Sequence, residues 1–484
     1  MTISKRSLKY GSLSIGITVA VIAALVLINV VATLLVERFP LKLDLTEEKL
    51  FELAPESIDY LKKVDEKVEI ILCGAESVYD SFDSYAKTVE MIKNYSKYNS
   101  LVTVSFVDVE KTPSFKSQYP DEANDITANT IIVQSEKRYR VLSLYDLLDI
   151  QQDYYGSVEV VASNAEQELS SAIDYVLSDQ TYKIQYTAGH NETAITEFTD
   201  LLKTNNFVSS AVTLIQDDID KDTRILIIAA PTRDFDEEEI KKIEDFLIND
   251  EKYGKHLMVF TSPAMPQLPN LEAFLAEWGM RPKAGHLIDS ESRAPSLLFL
   301  QYTDTELAGN LDTKGIPFAA NSAQPVETLF ESSGYTKVST LLSTYDNIYL
   351  IDKLPERWTQ ESMSEAIKNG KAGKYDILVR ATKTIDENTS SVVVCGNTEL
   401  LGTSSFMSGI LSSSAYGNGT YMLNLMNKTV DKKDAFNFIP RSLKTASLGI
   451  TAKTFNALFV LFVFVLPLVV VIAGISVWLS RRHL

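Results

Sequence analysis

The sequence predicts an α/β protein whose folded mass lies between two transmembrane helices. Three observations predict it. Residues 13–36 and 457–478 are two apolar runs that contain no charge. At about 1.5 Å per residue, each is long enough to cross a hydrocarbon core of roughly 30 Å. Between them, short apolar runs of strand type alternate with segments of helical period, the pattern of sheets covered by helices.

Lys5, Arg6 and Lys9 precede the first run, and Arg481 and Arg482 follow the second. Basic flanks face the cytoplasm, so both termini are expected inside and the long middle outside. A cleaved signal peptide is the rival for the first run, but its apolar region is shorter, about 7–15 residues, and no A-x-A site follows. Pro467 is expected to kink the second run.

A chain of 484 residues is too long for one core, and its 45% hydrophobic content supports folded domains. The expected division is a tail and first helix at 1–40, a first α/β domain at 41–160, a connecting helix at 161–180, a second α/β domain at 181–440, and the second helix and tail at 441–484. With 46 basic against 64 acidic residues the formal charge is −18, which excludes nucleic acid as a partner because its phosphates would be repelled.

In the first domain, Asp44-Leu45-Thr46 leads into a helical segment ending near Lys63, and residues 68–72 read as a strand. Residues 81–98 have helical period through Phe82, Tyr85, Val89, Ile92 and Tyr95. A strand at 102–109 follows, and 130–134 with 139–143 reads as a hairpin. At the joint, Ser163 three residues before Glu166 reads as a capping box, with Leu169, Ala172, Ile173, Val176 and Leu177 on one helix face. A strand at 182–186 then runs into the glycine turn Ala188-Gly189-His190-Asn191-Glu192.

In the second domain, apolar strands at 225–229 and 257–260 alternate with helices at about 240–247 and 271–278, which implies a parallel, doubly wound sheet. The acids 237–239 sit where they favour the dipole of a helix N-terminus. Residues 287–347 are richer in Ser, Thr and Gly and read as extended loops and strands. Residues 388–390 read as a turn.

The joint pattern E-x-x-L-x-x-A-I followed by G-H-x-E, carried here by Glu166, Leu169, Ala172, Ile173, Gly189, His190 and Glu192, resembles the ABC-transporter auxiliary subunits typified by the gliding-motility protein GldG. Three further stretches agree with it in order: the D-L-T segment at 44–46, the run 392–396, similar to a late V-V-V-G segment, and Pro440-Arg441-Ser442-Leu443, similar to P-K-S-L with Arg441 in place of lysine. The resemblance implies a thioredoxin-like domain followed by one similar to class I glutamine amidotransferases. It also implies a membrane-anchored, non-catalytic auxiliary subunit, able to bind substrate, that works with a separate permease and ATPase.

The chemistry-bearing residues fit a protein that is not an enzyme. Cys73 and Cys395 stand far apart, with no resolving thiol and no counterpart of an amidotransferase nucleophile, so both read as buried, inert thiols. No phosphate loop is present, because Gly370-Lys371-Ala372-Gly373-Lys374 lacks its spacing and its hydroxyl residue. No cofactor and no metal site is expected, since the four histidines are scattered. His190, Asn191 and Glu192 are the candidate ligand-binding residues. Of these, His190 and Glu192 could act as acid and base in an envelope hydrolase or hold a metal, or Gly189 could simply permit a turn that the two side chains brace by hydrogen bonds. The second is the expectation, as no third ligand or nucleophile is visible. A structural surface protein is the other alternative.

Overall fold

Pairing of the short β-branched runs sorts the chain into two main sheet systems. The computed structural model describes residues 52–120, 122–152, 158–178, 180–203, 205–413, 415–432, 441–443 and 459–482, with positions 23, 26, 27 and 456 besides.

Strands β1 (Val68–Leu72), β2 (Val102–Phe106), β3 (Thr130–Gln134) and β4 (Tyr139–Ser143) form one sheet in the order β2-β1-β3-β4. β1 and β2 are parallel, which requires a crossover, and helix Asp83–Tyr98 supplies it. β3 and β4 form the expected hairpin. The joint helix, Ala165–Leu177, covers one face of this sheet. Its Leu169, Ala172, Ile173 and Val176 are buried in one cluster with Ile70, Ile92, Tyr95 and Ile131. The joint helix therefore belongs to the core of the first domain.

The capping box predicted at its start is not there. The N-cap is Asn164, without a side-chain bond, and the Glu166 carboxylate turns inward instead. One oxygen accepts the Ala54 N–H at 2.5 Å, and the other pairs with the Arg441 guanidinium at 2.6 Å. Arg441 also donates to the Glu52 carbonyl, and residues Arg441–Ser442 pair with strand β6 (Val158–Ser163), itself the partner of β5 (Leu148–Gln152). A buried carboxylate is costly unless charge and hydrogen bonds meet it, and here both are supplied by segments far away in the chain. Two of the motifs that carried the resemblance thus meet as one ion pair across 275 positions.

In the second system, β7 (Tyr182–Thr187), β8 (Phe207–Val212), β9 (Thr223–Ala229) and β10 (His256–Phe260) are parallel to one another and to strand Asn388–Cys395. The order is β8-β7-β9-β10-Asn388–Cys395. Apolar side chains on both faces are buried, in two separate clusters. The expectation of a parallel, doubly wound sheet needs correction beyond that point. Strands Asp376–Ile385, Thr336–Ser343, Leu297–Tyr302 and Phe318–Asn321 continue the same sheet in antiparallel fashion. Asp386 and Glu387 alone connect the first of these to Asn388–Cys395, with Asp386 at φ +52°, and so short a loop can only build a hairpin. The turn expected at 388–390 is strand, and the stretch 287–347 supplies three strands of the extension, three short strands beside them and two short helices.

The expectation of two transmembrane helices, with cytoplasmic ends, an outer middle and lipid contact through both, is corrected. Among the described residues, no helix is long and apolar enough to cross a membrane. The second apolar run is divided into a π-helical turn, Leu461–Val465, and an α-helix of 17 residues, Leu466–Arg482. Pro467 lacks the N–H that a carbonyl one turn earlier would accept, which favours a wider turn at that place. Apart from a few positions, the first run lies outside the described residues, as does the D-L-T segment.

Candidate functional site

The loop after β7 carries the predicted residues, and its backbone is locked before any side chain is considered. Gly189 sits at φ +115° and Asn191 at φ +56°, so the chain reverses in a way that only glycine and, less easily, asparagine allow. The His190 carbonyl accepts the N–H groups of Thr232 and Arg233 at 2.9 and 3.2 Å, and the Thr193 N–H donates to Ala229. The loops after β7 and β9 are thereby tied together. In a sheet of this order the ends of β7 and β9 flank the point where the winding reverses, which is where open α/β sheets hold ligands.

His190 fills that point. It is 1% exposed and its ring stacks on Phe235 with centroids 4.0 Å apart. Nε2 donates to Glu239 Oε2 at 3.1 Å, and Nδ1 faces Glu192 Oε1 at 3.7 Å, too far for a hydrogen bond. Glu192 uses its other oxygen to accept the His190 backbone N–H at 2.8 Å. Glu239 belongs to helix Glu237–Ile248 and closes a true capping box with Asp236, so one carboxylate holds both the helix start and the histidine. Asn191 is exposed and stands outside this arrangement.

The sequence brought His190 and Glu192 together but missed Glu239. The acids 237–239 were read as a dipole preference, yet D-x-x-E at 236–239 is a capping-box pattern whose glutamate must fold back over the helix end, toward the neighbouring loop. That pattern was the available signal. His190 Nδ1, Glu192 Oε1 and Glu239 Oε1 are buried with no hydrogen-bond partner among the described residues. No group of three or more His, Cys, Asp or Glu among them is placed to hold a metal ion.

Other candidate chemistry is equally enclosed. Cys73 and Cys395 are fully buried, and desolvation pushes both thiols up to about 12. His256 bonds Ser391 Oγ at 2.8 Å, and burial, followed by the nearby Arg224 and Lys255 charges, lowers it to about 3. A crevice beside the end of β10, lined by Thr261, Met265 and Gln324, measures about 70 Å³, well below the roughly 300 Å³ at which ligand pockets begin.

Residues 47–147 match the family model described as a domain of unknown function, DUF7088. The DUF7088 stretch takes in the whole β2-β1-β3-β4 sheet and ends before the joint helix that completes its core. Among curated proteins there is no match. Among solved structures, one described as the crystal structure of Agd3, a novel carbohydrate deacetylase, aligns with 47% of this chain at 10% identity and a TM-score of 0.28. The chain spans 32% of that protein's length.

A wide opening lies between the domain of the β2-β1-β3-β4 sheet and the second domain. It is a cleft of about 790 Å³, inside the size range of ligand sites. One wall is β4 with Gln167, Glu168 and Tyr175 of the joint helix, and the other is β8 with the ends of three helices. On the first wall Arg140 lies 3.7 Å from Glu168. Desolvation raises Glu168 to about 7, against the lowering effect of Arg140.

Proposed function

We propose that the chain is a non-catalytic auxiliary subunit of an ABC-type transport system, acting with a separate permease and ATPase and binding rather than converting what it meets. The observation that carries this reading is the filled switch point. Where an α/β enzyme of this winding would hold its reacting groups open to a ligand, His190 is sealed beneath Phe235 and held by Glu192 and Glu239. The partners come from the resemblance, whose Glu166 and Arg441 have a shared structural task in this fold. Affinity capture of the full-length chain from native membranes tests the proposal. Recovery of an ABC permease and its ATPase is the expected result, and repeated capture without either sinks it.

A hydrolase built on His190 and Glu192 has one observation in its favour, the unpartnered buried atoms at Nδ1 and the two Oε1 positions. Such an enzyme needs the pair to meet solvent. Incubation with reporter esters and glycosides separates the two readings: turnover that disappears in a folded Glu192→Gln variant supports the hydrolase.

A further inference from the structure

The large sheet has two edges, and they are treated differently. At one end, strand Phe318–Asn321 pairs with Leu297–Tyr302 on its inner side. On its outer side the Asn418 amide accepts the Ala319 N–H at 3.0 Å and donates to the Ala319 carbonyl at 2.7 Å. A side chain there takes the place of a neighbouring strand.

At the other end stands β8, whose one strand partner among the described residues is β7. The Asn206 and Val212 carbonyls accept bonds from the β7 side. By the alternation of a strand, the N–H and C=O groups of Phe207, Ser209 and Ala211 therefore point away from the sheet. The segment Phe-Val-Ser-Ser-Ala-Val carries no charge and no proline, and its register with β7 is unbroken. Those are the devices that normally blunt an edge, and Val208 is left 50% exposed without them.

This open edge forms a wall of the interdomain cleft through Phe207, Val208 and Ser209. β4, across the cleft, is also an edge strand, but the Asp146 carboxylate accepts its Ser143 N–H at 2.8 Å. Five carboxylates line the cleft, Glu122, Asp146, Glu168, Glu197 and Asp200, against Arg140 and Lys203. Glu168 is balanced by Arg140, and the remaining balance is acidic.

We propose that the β8 edge is a docking strand for an extended, lysine- or arginine-bearing segment of a protein partner, which adds to the sheet inside the cleft. Main-chain hydrogen bonds to Phe207, Ser209 and Ala211 supply affinity, and the acidic lining selects the charge. The proposal is independent of the transport reading, since it needs a partner with such a segment and no particular permease.

The test selects short random peptides against the full-length chain and resynthesises the best binder in three forms: unchanged, N-methylated at alternate residues, and with its basic residues replaced by glutamate. The expected binders are basic and free of proline at their centre. Either modification should weaken binding at least about tenfold, and the bound peptide should slow amide exchange at Ser209 and Ala211. Val208→Lys, a change at an exposed site, should weaken binding by about tenfold with an unchanged melting temperature. Failure to select any binder, selection of acidic or proline-rich ones, indifference to N-methylation, or protection confined to β4 would each overturn it.

Discussion

The crevice at the ends of β7 and β9 and the cleft between the two domains make opposite use of similar residues. Both bring acidic side chains beside a basic one. In the crevice, Glu192 and Glu239 close on a histidine that is 1% exposed, and the groups serve each other. In the cleft, a space of about 790 Å³ stays open beside the outer edge of β8. Position in the topology says where a ligand could sit, and packing decides whether room remains for it.

Four changes sharpen that contrast, taken from the largest effect to the smallest. His190→Ala removes the group that two buried carboxylates face and leaves Phe235 without its stacked ring. It should cost about 3–5 kcal/mol, read as a fall in the urea midpoint at unchanged slope. If His190→Ala were neutral, the crevice would be a functional opening and not a brace.

Gly396→Ala comes next, because an added methyl would collide with the Gln324 carbonyl that crosses over this glycine. A loss of about 1–3 kcal/mol is expected in thermal unfolding, the usual cost of overpacking. It tests whether the carboxyl end of the sheet is as tightly closed as the crevice beside it.

The cleft should reveal itself through pH. Burial pushes Glu168 up to about 7 in the folded chain, from an ordinary glutamate value of 4.5. Between those values the folded state binds more protons than the unfolded one, so stability falls as pH rises. Its contribution is fully present below about 4.5 and is lost as pH passes about 7, amounting to roughly 1–3 kcal/mol for a carboxylate beside Arg140. Subtracting the Glu168→Gln stability curve from wild type isolates the slope, and a flat difference from pH 4.5 to 8 would contradict the assignment.

Val208→Lys should be the mildest in stability, within about 0.5 kcal/mol, because the side chain is half exposed and supports no cluster. A variant that damages peptide docking without touching the melting temperature is the mirror image of His190→Ala.

Legibility followed the range over which each interaction acts. The face of the joint helix was readable, since Leu169, Ala172, Ile173 and Val176 repeat with the helical period and all are buried. Strand β1 was readable as a short apolar run, β3 and β4 as a hairpin, and β7 from the alternation of Tyr182, Ile184 and Tyr186 with polar residues. Glu166 was misread, because a local partner at Ser163 suggested a capping box while the true partners, Ala54 and Arg441, lie 112 and 275 positions away. The second apolar run was read by hydropathy summed over its length, a quantity insensitive to the π-helical turn that interrupts it.

By itself the sequence determined the order of elements, the acidic balance, the enclosure of both cysteines within apolar segments and the turn that presents His190 beside Glu192. These depend on neighbouring residues, whose side chains lie within reach however the rest of the chain folds. Tertiary structure alone decided that Glu239 would hold that histidine, that Arg441 would answer Glu166, and that Asn418 would close one edge of the large sheet while β8 stayed open. Each is a pairing across a long loop, and which partner wins depends on the packing of everything between, which no local pattern encodes.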